Sequence, residues 1–267
     1  MSRGRGFSAL LLAALTVVLV FLALPIAAIF IDTSPGALLR SLGDPASIDA
    51  LVLSLWTSAL AVAIIVAVGT PAAYLLATRD FRGRSVLITL IELPLVLPPA
   101  VAGIGLLAAL GPQGLVGRPL QDAGIEIALT TASVVIALTF VAAPFSIRQA
   151  EAAFSALDRS WLEASRTLGA SQATTFARVA IPAAMPGLVA GLALAWGRAL
   201  GEFGATLMFA GSFRGVTQTV PLAIYEQFNT DFTGALALSA VLVALSAAIL
   251  LTVKFATRTT GARVVSR

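Results

Sequence analysis

Uncharged apolar runs dominate the chain, and each is long enough to cross a bilayer. A helical span needs about 20 consecutive, mainly apolar residues. Six runs meet this: Phe7 to Ile31, Ala50 to Thr78, Leu93 to Gly117, Ile127 to Ile147, Val179 to Gly197 and Phe232 to Val253. Of the 267 residues only 11% are charged and 58% are hydrophobic, with a mean hydropathy of +0.98. Such a chain cannot cover a globule with polar groups and must use lipid as its solvent. The expectation is an all-α, multi-pass protein of the plasma membrane, with residues 1–267 forming one domain of six transmembrane helices. The third helix is expected to begin nearer Val86 and to tolerate Glu92. The fifth is expected to continue past Arg198 and Glu202 towards Phe209. Arg3 and Arg5 ahead of the first run imitate a cleavable leader, but a leader core has about 7 to 15 apolar residues and Phe7 to Ile31 is far longer, so an anchored helix is expected.

The basic residues sort the connections into two sides. Arg3 and Arg5 lie before the first helix, Arg79, Arg82 and Arg84 in the second connection, Arg148, Arg159, Arg166 and Arg178 in the fourth, and Lys254, Arg258, Arg263 and Arg267 in the tail. The other connections hold one each: Arg40, Arg118 and Arg214. The positive-inside rule then places both termini and the second and fourth connections in the cytoplasm. These charges form short clusters between spans rather than a continuous stripe, so topology explains them and nucleic acid is not an expected partner.

Absences narrow the chemistry. With no Cys and no His, the chain has no disulfides, no thiolate nucleophile, no Cys/His metal site and no imidazole base. Its single lysine, Lys254, follows Leu251-Thr252-Val253 and belongs to no phosphate-binding loop. No catalytic residue, metal or nucleotide cofactor is therefore assigned to this chain, and any ATP it depends on must be bound elsewhere.

The fourth connection, residues 148–181, is the long cytoplasmic one. Phe154, Leu157, Trp161, Ala164 and Leu168 recur at spacings of three and four, which predicts one helix with an apolar face. Ser160 and Glu163 have the spacing of a capping box, Gly169 is placed to end the helix in the left-handed region, and Ser171 is an N-cap for a second short helix to about Val179, which Pro182 lets the chain leave for the fifth span. Periodicity alone equally allows an amphipathic hairpin lying on the headgroups. The residues themselves are more specific. Glu163-Ala164-Ser165, followed after three intervening residues by Gly169 and then, after nine more, by Val179-Ala180-Ile181-Pro182, resembles the EAA motif in permease subunits of ABC importers, with Ser165 and Val179 in place of the usual Ala and Ile. The resemblance implies the type I importer permease fold, and a short helix that docks in a separate ATPase. The coupling residues carried over are Glu163, Ala164, Ser165, Gly169, Ala170, Ser171, Gln172, Thr175, Phe176 and Pro182. ATP and Mg then belong to the partner ATPase, two copies of which would serve a homodimer of this chain.

Three further stretches are similar to the molybdate-type branch of oxyanion permeases: Glu92 to Pro99 (ELPLVLPP), Arg198 to Thr206 (RALGEFGAT) and Thr217 to Tyr225 (TQTVPLAIY). Sulfate and thiosulfate permeases share much of the second stretch, and the third leans towards molybdate or tungstate. Physically, Pro94, Pro98 and Pro99 interrupt a hydrogen-bond ladder beside a cavity or merely shape helix packing. Arg198 and Glu202, four apart, either neutralise each other for structure or face the ion's path. Glu92, Pro94, Pro98, Pro99, Arg198, Glu202 and Thr206 are the expected pathway and gate residues. Gly187, Gly191 and Ala195, and separately Gly197, Gly201 and Ala205, recur every four residues and predict close helix contacts. The external connections carry Asp32, Asp44, Asp49, Asp122, Glu126, Glu226 and Asp231 against three arginines, an acidic face that would not gather a dianion. An external oxyanion-binding protein is the expected selector. Two other classes compete. An ion-coupled carrier has no use for the coupling loop and would need more intramembrane carboxylates, and a membrane enzyme would have only Glu92 and Glu202 as acid and base, with no nucleophile.

Overall fold

The computed structural model describes the backbone of residues 2–265 and the side chains of residues 7–253 and Phe255. The side chains of Arg3, Arg5, Lys254, Arg258 and Arg263, and Arg267 altogether, lie outside the described residues. Twelve helices follow one another, and no strand occurs among the described residues: α1 (Ser2–Asp32), α2 (Pro35–Gly43), α3 (Pro45–Thr78), α4 (Arg84–Val96), α5 (Pro99–Leu110), α6 (Gly117–Asp122), α7 (Thr131–Ser155), α8 (Arg159–Thr167), α9 (Gln172–Leu200), α10 (Gly204–Ala210), α11 (Val220–Phe228) and α12 (Phe232–Val265).

Five of these, α1, α3, α7, α9 and α12, are long and apolar enough to cross a membrane, and α4 with α5 supplies a sixth, broken one. The third span is interrupted, as its prolines lead one to expect, and α4 and α5 meet at 116°. The cause lies in the tandem prolines. A residue before proline avoids the α region, so Leu97 (ψ 131°) and Pro98 (ψ 134°) are extended, and Pro99 restarts the helix at its first turn, where a missing N–H costs nothing. Pro94, by contrast, is accommodated inside α4. The fifth span ends earlier than expected, at Leu200. Glycines flank Glu202, whose carboxylate Oε1 accepts the Ala205 N–H at 2.7 Å and so caps a separate α10.

Two π-helical turns interrupt otherwise continuous spans, Ile65–Gly69 in α3 and Phe176–Ala180 in α9. Each lies just before a proline, Pro71 or Pro182. A wide turn accommodates the proline ring and its missing donor without breaking the helix.

α7 is the axis of the bundle. Half of its most apolar stretch is buried, whereas the corresponding stretch of α1 is wholly exposed and left to lipid. Val134, Val135, Leu138 and Ala142 of α7 pack with Ala61 and Ile65 of α3 and with Ala195 and Ala199 of α9. Buried serines of α3 add directional ties: Ser54 accepts from the Val220 N–H (2.7 Å), and Ser58 from the indole N–H of Trp196 (3.1 Å).

The first small-residue repeat works as expected. A methyl at Gly187 would lie 2.4 Å from Cβ of Ala153, and one at Gly191 would lie 2.9 Å from Cβ of Gln149, both on α7. The second makes a close contact only at Ala205, against Gly103: Gly197 has nothing within 4 Å, and Gly201 meets only its own helix, at the Gly197 carbonyl. Gly187→Ala should accordingly lower stability by about 1–3 kcal/mol through overpacking, while Gly197→Ala stays within about 0.5 kcal/mol. Thermal unfolding of the two variants in detergent checks this, and equal midpoints would contradict it.

Candidate functional site

The segment between α7 and α9 folds back on itself through local capping. Asp158, not Ser160, is the N-cap of α8: its carboxylate accepts the Ser160 N–H at 2.9 Å, and with the added bond from the Ser160 hydroxyl this holds the Asp158 carboxyl below the ordinary carboxylate range. The expected capping box is thus displaced by a better acceptor two residues earlier. The apolar pattern from Phe154 to Leu168 also straddles a helix end, so its members separate. Phe154 is buried and Leu157 half-buried, while Trp161 and Leu168 are 55% and 87% exposed; the buried residue of α8 is Leu162, outside the pattern.

Gly169 is left-handed (φ +85°), as expected, and its N–H and that of Ala170 donate to the carbonyls of Arg166 and Ser165. Ser171 then caps the next helix, accepting from the Thr174 N–H at 3.1 Å. That helix does not stop near Val179. It runs through the π turn and past Pro182 into the fifth span, so the short segment Gln172–Thr175, exposed at Gln172 and Ala173, is the tip of a membrane helix.

Three contacts fasten this tip. The hydroxyls of Ser165 and buried Thr175 are 3.0 Å apart, a bond the alanine usual in this motif could not make. Arg79 donates to Gln172 Oε1 at 2.9 Å. Phe176 packs on Tyr74 and Phe154, with ring centroids 4.7 and 6.2 Å away. Glu163, Ala164, Gly169, Ser171 and Gln172 remain exposed on the outer side. Beside them a cavity of about 320 Å³ is lined in part by Asp80, Arg84, Arg159, Glu163 and Arg166. Of the expected coupling residues, Ser165 and Thr175 thus bond directly, Gln172 and Phe176 are tied to Arg79, Tyr74 and Phe154, and Pro182 lies further along α9.

The expected pathway residues divide into two groups. Arg198 and Glu202 form an ion pair at 2.6 Å, with Glu202 1% exposed, and Thr206 is fully buried with its hydroxyl unpartnered. Pro99 joins this group, since a methyl at Gly204 would lie 2.7 Å from its Cβ, and Gly103 of α5 presses as closely on Ala205 and Met208 of α10. Glu92 goes elsewhere. It pairs with Arg148 of α7 at 2.7 Å, Arg148 also pairs with Glu151, and Glu151 binds Arg84 at 2.9 Å. Arg84 further donates to the Leu76 carbonyl at 2.7 Å. This network of four charges joins the end of α3, the start of the broken span and the helix leading into the coupling segment. Sequence reasoning missed it: Arg84 and Arg148 served only as topology markers, and Glu151 had no assigned role. The available signal was a carboxylate three residues after an arginine in a chain with few charges.

The family described as "Binding-protein-dependent transport system inner membrane component" matches residues 66–261. The chain belongs to this family. Within it, the chain is 46% identical over 235 residues to the molybdenum transport system permease protein ModB of Mycobacterium tuberculosis, covering 87% of this chain and 88% of that one. The Escherichia coli K12 protein of the same name is 38% identical over 183 residues, 68% of this chain and 80% of that one. A probable sulfate transport system permease protein, cysT of Chlorokybus atmophyticus, is 33% identical over 79% of this chain and 74% of its own length. Among solved structures, a bacterial ABC transporter that imports alginate superposes with TM-score 0.74 over 96% of both chains at 17% identity. The inward-facing MetNI methionine transporter gives 0.63 over 80% of this chain and 95% of that one, at 19% identity. At those identities the likeness concerns the fold alone; the family match and the identity to curated permeases show a multi-pass inner-membrane permease. The residues expected to couple and those expected to line the pathway fall within the matched residues 66–261.

Proposed function

We propose that this permease forms the translocation pathway of an ATP-driven molybdate importer that also accepts tungstate, working by alternating access. The observation that carries the reading is the fastened helix tip at Gln172–Thr175, continuous with a membrane helix and flanked by exposed Trp161 and Leu168. Exposed apolar side chains on a rigid, otherwise polar turn suit docking against another protein. Its continuity with α9 gives that partner a lever into the bundle.

In this reading a second copy completes the pathway, two ATP-binding cassette subunits dock on the coupling segments, and an external oxyanion-binding protein delivers the ion. Nucleotide, Mg and hydrolysis belong to the ATPase, and this chain binds no cofactor. Both termini and the second and fourth connections face the cytoplasm. The bond between Arg79 and Gln172, one from each of those connections, supports placing them on one side. Arg214 and Asp49, 3.8 Å apart, link connections assigned to the other side. The 46% identity to a mycobacterial molybdenum permease supports the choice of ion.

Gly169→Pro tests the coupling step. Proline cannot adopt φ +85° and removes the N–H that donates to Arg166, so the tip should lose its orientation. ATP-driven molybdate uptake in reconstituted vesicles is expected to fall at least about tenfold, a 1.4 kcal/mol penalty on productive docking, and Glu163→Lys should lower it too. Unchanged uptake with unchanged assembly would remove the coupling role. Uptake inhibited by sulfate as strongly as by tungstate would move the substrate to sulfate.

A further inference from the structure

At the end of the molecule opposite the coupling segment, a cavity of about 420 Å³ lies between α2, the end of α11 and the start of α12. The membrane spans α1, α3 and α12 end or begin around it, at Asp32, Pro45 and Phe232, so it sits at headgroup depth. Its lining holds buried polar oxygens without a partner. Ser41 is 7% exposed, and its hydroxyl has no partner; the buried Oε1 of Gln227 has none either. Asp231 accepts the Thr233 N–H through Oδ1, leaving Oδ2 beside Gln227 Oε1. The two oxygens converge over Gly234, where a methyl would lie 2.6 Å from Oδ2 and 3.1 Å from Oε1. The absent side chain is what leaves this cradle open. Arg40, exposed on α2, also lines the cavity and pairs with no carboxylate within 4 Å among the described residues, while Asp44 adds a second negative charge.

We propose that this pocket binds the headgroup of an aminophospholipid such as phosphatidylethanolamine, its primary ammonium donating to Gln227 Oε1, Asp231 Oδ2 and Ser41 Oγ while Arg40 meets the phosphate. A buried acceptor left unmade is costly, and a primary ammonium supplies three donors to three acceptors. A choline headgroup has none to give. A purely anionic headgroup would face Asp44 and Asp231 with one arginine in compensation. Leu39 and Leu42 flank Arg40 and Ser41 on α2 and are 73% and 48% exposed, which provides apolar surface for the acyl chains where the headgroup enters.

The test is lipid retention. The purified full-length protein is equilibrated with vesicles of phosphatidylethanolamine, phosphatidylcholine and phosphatidylglycerol in equal parts, and co-purifying lipid is counted by native mass spectrometry. Phosphatidylethanolamine should be retained about tenfold over either competitor, the ratio expected from one added charge-assisted hydrogen bond. Asp231→Asn should reduce that ratio to near one. Gly234→Ala, which fills the cradle and keeps every charge, should do the same and decides the matter if the first variant does not fold. Free phosphoethanolamine should compete only weakly, because the chains contribute to binding. Equal retention of the three lipids, a preference that survives both variants, or retention of a divalent cation in place of lipid would each overturn the assignment.

Discussion

Glu202→Ala is expected to destabilise the protein by roughly 3–5 kcal/mol, the range for removing one partner of a buried ion pair. Glu202 is 1% exposed and holds two groups at once: Arg198 through Oε2 at 2.6 Å, and the first free amide of α10, at Ala205, through Oε1 at 2.7 Å. Alanine leaves the Arg198 guanidinium, about a quarter exposed, without its carboxylate and uncaps α10, which packs against the broken third span at Gly103 and Pro99. The damage should therefore spread to the contact between α5 and α10. Glu202→Gln retains an acceptor for Ala205 but not the charge, so it should cost about half as much. Arg198→Ala combined with Glu202→Ala should recover part of the loss, because the orphaned charge is gone. Thermal unfolding in detergent of the wild type, both single variants and the double variant gives the coupling energy. A Glu202→Ala midpoint equal to wild type would show that the pair contributes nothing to folding.

Lipid makes the sequence of such a protein unusually transparent in one respect and opaque in another. Runs such as Phe7 to Ile31 and Phe232 to Val253 announce spans because every backbone polar group in hydrocarbon must be bonded within its own helix. Gly169 and Ser171 were equally legible, since a left-handed turn and an N-cap each select few residue types and act over four residues. The turn and the cap among the expected coupling residues followed from those local rules.

What escaped prediction was decided by competition or by distance. Ser160 had the capping-box spacing, but Asp158 stood two residues ahead with a stronger acceptor. Pro98 and Pro99 signalled a break, yet the 116° turn depends on what α5 packs against, and the glycines that permit it, Gly103 and Gly204, are about a hundred residues apart in sequence. The network around Glu151 is the extreme case: Arg84 lies 67 residues away, and Arg79 reaches Gln172 across 93. Charges in a membrane protein are first read as topology signals, and that reading hid the fact that Arg84 and Arg148 are also ion-pair partners.

Glu151 accordingly carries the second large prediction. Its side chain is 9% exposed and faces Arg84 from the start of α4 and Arg148 from its own helix, each about one third exposed. Glu151→Ala leaves two guanidinium groups beside each other with only Glu92 to share. Solvent reaches the arginines, so the cost should lie below the fully buried case, at about 2–3 kcal/mol. Arg84→Ala should cost less, since Arg148 still pairs with both Glu92 and Glu151. The functional consequence separates a structural clamp from a transmitting one. α7 leads into the segment proposed to couple and α4 is the first half of the broken span, so a transmitting Glu151 bridge would make the two move together. Glu151→Gln, which keeps the shape and one strong acceptor, should assemble with its ATPase and hydrolyse ATP while uptake per ATP falls several-fold. If Glu151→Gln lowers hydrolysis and uptake in equal proportion, the network only holds the helices in place, and the movement of the broken span must be driven through α9 alone.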